Sequence, residues 1–182
     1  LISLGRGPTG DSARSTQTVL HRNDGVAFTM IDSGIVPATD GSLAWGDYDN
    51  DGDADLLITG DGPQGYIARI YRNERGMFTD INAGLAGVGF GSSGEWGDYD
   101  NDGDLDLLLT GDLGGYSPSA TVYRNDGNGQ FSDIHAGLVG VRLHTSGDWG
   151  DYDNDGDLDL LITGVNPSLK GSATVYRNDA GI

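Results

Sequence analysis

The 182-residue sequence contains no cysteine and one lysine, Lys170. The lack of cysteine excludes a disulfide scaffold and a thiol nucleophile. The ten basic residues are spread along the chain and form no basic patch, so we expect no nucleic-acid partner. No apolar run approaches the roughly 20 residues that a membrane span needs. No segment repeats its apolar residues with helical spacing either, which predicts an all-β chain.

Aspartate and glycine are abundant instead. The chain holds 28 acidic residues and 32 glycines, and its formal charge is −18. The charge is concentrated in three copies of one stretch: WGDYDNDGDAD at residues 45–55, and WGDYDNDGDLD at residues 96–106 and 149–159. Five carboxylates so close together repel one another at neutral pH unless a cation lies among them. The pattern therefore predicts sites for a hard divalent cation, with Ca²⁺ as the first candidate.

The stretch recurs with a period near 50 residues, marked by Trp45, Trp96 and Trp149. Such a period is typical of propeller blades or of a solenoid. One full repeat contains four short β segments separated by turn residues, which is the content of one antiparallel blade. The alignment of repeats predicts four units: a partial blade at residues 1–40, complete blades at residues 41–91 and 92–144, and a partial blade at residues 145–182.

The two partial blades lack different parts. Residues 1–40 lack the first strand and the Asp loop, whereas residues 145–182 stop before the last strand. The fold class we predict is a β-propeller-type array of about 3.5 repeats, with blades of three, four, four and three strands. Two interpretations of the ends stay open: an excerpt of a larger propeller, or a subunit whose open blade edges are completed by neighbouring chains.

These features resemble the FG-GAP/VCBS repeat family, which includes the calcium-bearing blades of integrin α-subunits and secreted bacterial relatives. All three loops match the family's D-x-D-x-D-G-x-x-D pattern in full, and the LLLTG strand at residues 107–111 matches as well. The phrase YRNDGNGQFSDI at residues 123–134 resembles bacterial VCBS repeats in particular. The resemblance covers nearly the whole chain. It implies propeller blades, bound calcium, and secretion or display on the cell surface.

The resemblance also implies which loop positions bind the metal. Positions 1, 3, 5 and 9 would supply side-chain oxygens, position 7 a backbone carbonyl, and the glycine at position 6 the sharp turn. The candidates are Asp47, Asp49, Asp51, Asp53 and Asp55 in the first loop, Asp98, Asp100, Asp102, Asp104 and Asp106 in the second, and Asp151, Asp153, Asp155, Asp157 and Asp159 in the third. We expect three calcium sites, and a structural role for the metal, because no position is left for a substrate.

Other residues recur at one phase of the repeat, which favours structural roles. We expect the three tryptophans to pack between blades and the tyrosines inside the loops to cover the backbone or contact the next blade. We expect four third-strand arginines to pair with a nearby carboxylate or carbonyl: Arg22, Arg72, Arg124 and Arg177. The histidines share no phase, and they are His21, His135 and His144. With no nucleophile elbow and no acid/base pair outside the loops, we expect no enzymatic activity.

The connections between the second and third strands vary most, at residues 6–17, 61–67, 112–119 and 165–171. In an antiparallel blade they lie opposite the Asp loops, where recognition and plain solvated connections are equally compatible with the pattern. We predict a non-enzymatic extracellular module for adhesion to, or recognition of, a glycan or a protein. Two alternatives stay open: a structural subunit that forms a fibre or larger assembly through open blade edges, and an accessory propeller of a secreted enzyme.

Overall fold

The computed structural model describes residues 2–6 and 16–179, and these residues form β-strands and no helix. Among them there is accordingly no helix that is long and apolar enough to cross a membrane. Fourteen strands form four antiparallel sheets of three, four, four and three strands. This confirms the all-β, blade-like fold that the repeats predict. The sheets do not close into a ring.

Every sheet is a meander in which consecutive strands are neighbours. The first contains β1 (Ile2–Arg6), β2 (Thr16–Asn23) and β3 (Phe28–Ile31). The second contains β4 (Leu43–Gly46), β5 (Asp55–Gly62), β6 (Gly65–Glu74) and β7 (Met77–Asp80). The third contains β8 (Gly89–Gly97), β9 (Asp106–Asp112), β10 (Pro118–Asn125) and β11 (Phe131–Asp133). The fourth contains β12 (Arg142–Gly150), β13 (Asp159–Val165) and β14 (Gly171–Tyr176).

The variable connections are shorter than the sequence predicts, because the strands go on pairing beyond their apolar residues. In the second sheet Gly62 pairs with Gly65, which leaves residues 63–64 as the turn. The pair between Asp112 and Pro118 leaves residues 113–117 in the third sheet. Residues 166–170 remain in the fourth sheet. Most of the first predicted connection, residues 7–15, lies outside the described part of the chain.

The core lies between neighbouring sheets, and the second strand of each complete blade contributes to two core clusters. Leu57 packs in one cluster with Leu107 and Leu109, whereas Leu56 and Ile58 pack in another with residues 35 and 38. Likewise Leu108 packs with Leu160 and Ile162 of the fourth sheet. Burial on both faces explains why these strands are uninterrupted apolar runs instead of alternating polar and apolar residues.

Two of the loop tryptophans, Trp96 and Trp149, each pack against a glycine of the preceding blade. A Cβ placed on Gly46 would lie 2.6 Å from the Trp96 ring, and one placed on Gly97 would lie 2.7 Å from the Trp149 ring. The prediction of inter-blade packing is therefore confirmed for Trp96 and Trp149. For Trp45 it stays a prediction: the ring is 45% exposed and contacts Phe78 of its own sheet at 6.0 Å between ring centroids. The described residues of the first sheet contain no WGDY strand for Trp45 to cover.

Candidate metal centres

Each Asp loop connects the first strand of a blade to the second, and it gathers three carboxylates. In all three loops one oxygen each from positions 1, 3 and 9 lies within 4.8 Å of the other two. The three clusters are Asp47, Asp49 and Asp55 in the first loop, Asp98, Asp100 and Asp106 in the second, and Asp151, Asp153 and Asp159 in the third. The chain therefore has three aspartate clusters that could hold a metal ion.

The carboxylate at position 1 also holds the loop in its curled form. Asp47 accepts the backbone N–H of Asp51 through Oδ1 and that of Gly52 through Oδ2, both at 3.0 Å. The same two bonds recur at 3.1 Å in each of the other loops. The position-6 glycines have φ values of +92°, +95° and +98°, which confirms the sharp turn predicted there.

The carboxylate at position 9 begins the second strand and is buried. Asp106 is fully buried, and it accepts the N–H of Tyr99 at 3.1 Å and that of Asn125 at 2.8 Å. Burial raises the pKa of Asp106 to about 7, although its two backbone hydrogen bonds oppose the rise. Burial likewise raises the pKa of Asp55 to about 6, against the backbone hydrogen bonds from Asn73 and Tyr48. A carboxylate that pays this desolvation cost near neutral pH is stabilised by a cation beside it.

The position-3 carboxylate has an oxygen that accepts no hydrogen bond. In each loop this Oδ1 atom is buried, and the three residues are Asp49, Asp100 and Asp153. Burial raises the pKa of each of these carboxyls, and the neighbouring position-5 carboxylate raises it further. A buried acceptor without a donor, placed among like charges, is an arrangement that a bound cation would satisfy.

The aspartates at positions 5 and 7 lie outside the three-oxygen clusters. Asp51 accepts the N–H of Asp53 through Oδ1 at 2.9 Å, and the second and third loops repeat this bond. Asp53 accepts the N–H of Arg75 through Oδ2 at 2.9 Å. The side chain at position 5 and the carbonyl at position 7 stay predictions as metal ligands.

The third-strand arginines pair with carboxylates, as predicted, but not all with the loops. Arg72 Nε lies 2.8 Å from Asp49 Oδ2, and Arg177 Nε lies 3.1 Å from Asp153 Oδ2. Arg124 instead pairs with Asp126 at 2.6 Å, as Arg22 does with Asp24 at 2.7 Å. The first and third clusters therefore have a guanidinium within ion-pair distance. Arg124 acts on the second cluster only at longer range, where its charge opposes the rise in the pKa of Asp100.

Four asparagines that the sequence analysis passed over link one loop to the next. Asn50 and Asn101, at loop position 4, have φ values of +56° and +58° and donate their side-chain amides to the following loop. Asn125 and Asn178, at the ends of third strands, donate to the preceding loop. The sequence does show asparagine at the same position of each repeat. The partner of each asparagine lies in another blade, however, so the spacing within one repeat does not predict the contact.

The loop tyrosines and the histidines have simple surroundings. Tyr48 is 4% exposed and stacks on Trp96 of the next blade with 6.4 Å between ring centroids, as predicted. Tyr152 is 59% exposed. His135, for which the sequence shows no evident partner, lies 3.2 Å from Asp133. No histidine belongs to any of the three clusters in the described chain.

The chain matches a known family of protein repeats. A family model described as FG-GAP-like repeat matches residues 47–109 and 110–162, which is more than half of the chain. The first match contains two of the Asp loops, and the second contains the third. A search of curated proteins found no match.

Proposed function

Because the chain belongs to the FG-GAP-like repeat family, we propose that it is a calcium-stabilised extracellular module that recognises a glycan or a protein and catalyses no reaction. FG-GAP repeats are typical of extracellular proteins, where calcium at about 10⁻³ M suffices for sites of modest affinity. The observation that carries the proposal is the threefold recurrence of one aspartate cluster with a buried, unsatisfied oxygen.

The donor set fits calcium better than other ions. Ca²⁺ binds oxygens at about 2.3–2.6 Å, so two ligands of one ion lie up to roughly 5 Å apart, and the three clustered oxygens are close enough together to share one ion. Mg²⁺ binds at about 2.0–2.1 Å with strict octahedral geometry and keeps several waters, so three converging carboxylates suit it less well. The absence of histidine and cysteine from the clusters disfavours zinc and copper.

The role of the metal in this proposal is structural. A bound cation neutralises carboxylates that repel one another, and it holds the turn between the first two strands in its curled form. Asp47, Asp98 and Asp151 already fasten that turn through backbone N–H groups. The chain's own residues thus shape the loop, and the cation relieves the repulsion that the shape creates.

The opposite end of the blades supports the recognition role. The large apolar side chains exposed there include Phe90, Leu113 and Tyr116, of which Tyr116 is 77% exposed. Neighbouring side chains hold two of these rings in place. Tyr66 contacts Phe90 edge-on with 5.5 Å between ring centroids, and the Arg142 guanidinium lies 4.8 Å from the centre of the Tyr116 ring. Exposed aromatic rings on a rigid scaffold are typical of contact surfaces for proteins and for sugar rings.

Isothermal titration calorimetry of the metal-stripped chain tests the calcium half of the proposal. We expect three calcium ions per chain and much weaker binding of magnesium. A titration with no calcium heat, or with equal affinity for both ions, contradicts it.

A glycan array in calcium buffer, probed with the labelled chain and with Tyr116→Ala, tests recognition. We expect binding to a subset of glycans that the substitution abolishes, while Val26→Ala, which removes a fully exposed side chain of the first sheet, leaves it unchanged. Binding that Tyr116→Ala leaves intact places recognition elsewhere on the molecule.

A further inference from the structure

The asparagine at loop position 4 connects consecutive metal loops. Asn50 Nδ2 lies 2.8 Å from Asp104 Oδ1 and 3.2 Å from the Gly103 carbonyl oxygen. Asn101 Nδ2 repeats the contact with the third loop, at 2.9 Å from Asp157 Oδ1 and 3.4 Å from the Gly156 oxygen. Each side chain therefore bridges from one loop to positions 6 and 7 of the next, across 53 to 56 residues of sequence.

The contact depends on the metal loop being curled at both ends. Asn50 lies between Asp49, which belongs to the first cluster, and Asp51, whose N–H the cluster residue Asp47 accepts. Its left-handed backbone, with φ of +56°, is part of this turn. At the receiving end lies Asp104, the residue whose carbonyl is the predicted ligand at position 7. A conformational change in either loop therefore alters the hydrogen bonds that connect the two loops.

A second, buried asparagine connects the same loops in the reverse direction. Asn125 is 3% exposed, and its Nδ2 donates to the Tyr48 oxygen of the first loop at 2.8 Å and to the Leu105 oxygen of the second at 3.2 Å. Its backbone N–H donates to Asp106 of the second cluster at 2.8 Å. Asn178 makes the corresponding three bonds between the second and third loops, at 2.9, 3.2 and 2.8 Å.

From these contacts we propose that the three loops bind calcium cooperatively, with Asn50 and Asn101 transmitting the effect of metal in one loop to the next. This inference rests on the proposed calcium function. Ordering one loop around its ion fixes the amide that orders the neighbouring loop, so the second ion meets a loop that has already lost part of its conformational freedom. The effect is reciprocal, and the middle loop, which is bonded to both others, is coupled most strongly.

Equilibrium dialysis with radioactive calcium tests the coupling in the wild type and in the double variant Asn50→Gly/Asn101→Gly. Glycine accepts the left-handed backbone, so the substitution removes the amide without straining the turn. The matched control is Asn154→Gly, since Asn154 has the same loop position and a φ of +61° but makes no bond to another loop within residues 16–179.

We expect three ions and a Hill coefficient of about 2 in the wild type and in the control. The double variant should still bind three ions, with a Hill coefficient lowered toward 1 and a half-saturating concentration raised about fivefold, while Asn125 and Asn178 maintain the remaining links. A wild-type coefficient of 1, or equal losses in the double variant and the control, overturns the coupling and leaves calcium binding intact. No calcium bound to the wild type overturns the proposed function itself.

A loop knock-out gives a second test that does not depend on the asparagines. In Asp98→Asn/Asp100→Asn the middle loop loses two of its clustered carboxylates, and we expect the two remaining loops to bind calcium about fivefold more weakly than in the wild type. Circular dichroism at saturating calcium checks that the variant is folded. Unchanged affinity in the outer loops of the folded variant contradicts the proposal.

Discussion

The two ends of the blades differ in how they use the same strands. At the loop end, three connections share one sequence and one set of internal hydrogen bonds, and each gathers three carboxylates. At the opposite end, the described connections range from residues 63–64 to residues 113–117 and 166–170 and share no pattern. Nothing in strand pairing requires this contrast. Under the proposed function, the three Asp loops are alike because each binds the same metal ion, whereas the connections at the opposite end share no ligand.

The ends also differ in how they accommodate buried charge. Asp112 at the variable end is fully buried, and its partner is a cation of the protein, Arg142, 3.8 Å away and 7% exposed. Asp106 at the loop end is equally buried, but it accepts hydrogen bonds from backbone N–H groups. Asp112 therefore has a cation of the protein 3.8 Å away, whereas we propose that Asp106 obtains its counter-charge from a bound metal ion. Four predictions test this contrast.

The largest expected effect is that of calcium itself. At 1 mM calcium, three sites with Kd near 10⁻⁴ M stabilise the fold by about 4 kcal/mol, which corresponds to roughly 10 °C in Tm. Thermal unfolding followed by circular dichroism should therefore show a Tm about 10 °C lower in EDTA than in calcium. Equal Tm values in the two buffers would contradict the proposal that a metal ion stabilises the loop end.

Arg142→Ala should give the next largest loss of stability, and this loss should not depend on calcium. Removal of this guanidinium leaves the Asp112 carboxylate buried without its counter-charge, which costs about 3 kcal/mol in both buffers. The control is Arg69→Ala, because Arg69 pairs with Asp80 at 2.6 Å but its side chain is 42% exposed, and we expect a loss below about 1 kcal/mol. Urea unfolding measures both. A loss for Arg142→Ala seen only in calcium would contradict the distinction between the two ends.

Asp100→Asn should lower stability in calcium but not in EDTA. In calcium the second loop loses a charged ligand, and we expect the free energy of unfolding to fall by about 1.4 kcal/mol, one site's contribution at 1 mM calcium. In EDTA the same change removes a carboxylate whose pKa burial and Asp102 have raised, so stability should hold or rise. Asp133→Asn, in the same blade but outside the cluster, is the control. An equal fall in both buffers would show that Asp100 acts through packing.

The smallest effect concerns the arginine at the first loop. Arg72→Gln removes a positive charge 2.8 Å from a cluster carboxylate, so the first loop should bind calcium about threefold more tightly. Arg124→Gln is the matched control, because Arg124 forms its ion pair with Asp126, which lies outside the clusters. Calorimetry on the two variants measures the difference. Weaker calcium binding in Arg72→Gln would mean that the guanidinium orders the loop instead of competing with the ion.

The fold was predictable because the repeat carries its information locally. The apolar run after each loop, the turn residues and the shared phase of Trp96 and Trp149 are each visible within one repeat of sequence. The same is true of the curled loop, since its aspartates and glycine lie within nine residues. The convergence of positions 1, 3 and 9 follows from that local geometry.

What the sequence analysis missed depends on contacts between blades or between strand ends. The bond from Asn50 to Asp104 spans 54 residues, and no local spacing indicates it. Asp112 follows an apolar strand and precedes a Gly-rich segment, so it resembles a loop residue, yet pairing with Pro118 and the nearby Arg142 bury it. Trp45 shares its motif with Trp96 and Trp149, which are half-buried, but it is itself exposed.

Native mass spectrometry of the intact chain, prepared in calcium, tests the central claim most directly because it counts bound ions. The wild type should carry three calcium ions, and a variant with Asp47, Asp49 and Asp55 all changed to Asn should carry two. A wild type without calcium, or a variant that keeps three ions, would contradict the assignment of the Asp loops as the metal-organised end of the molecule.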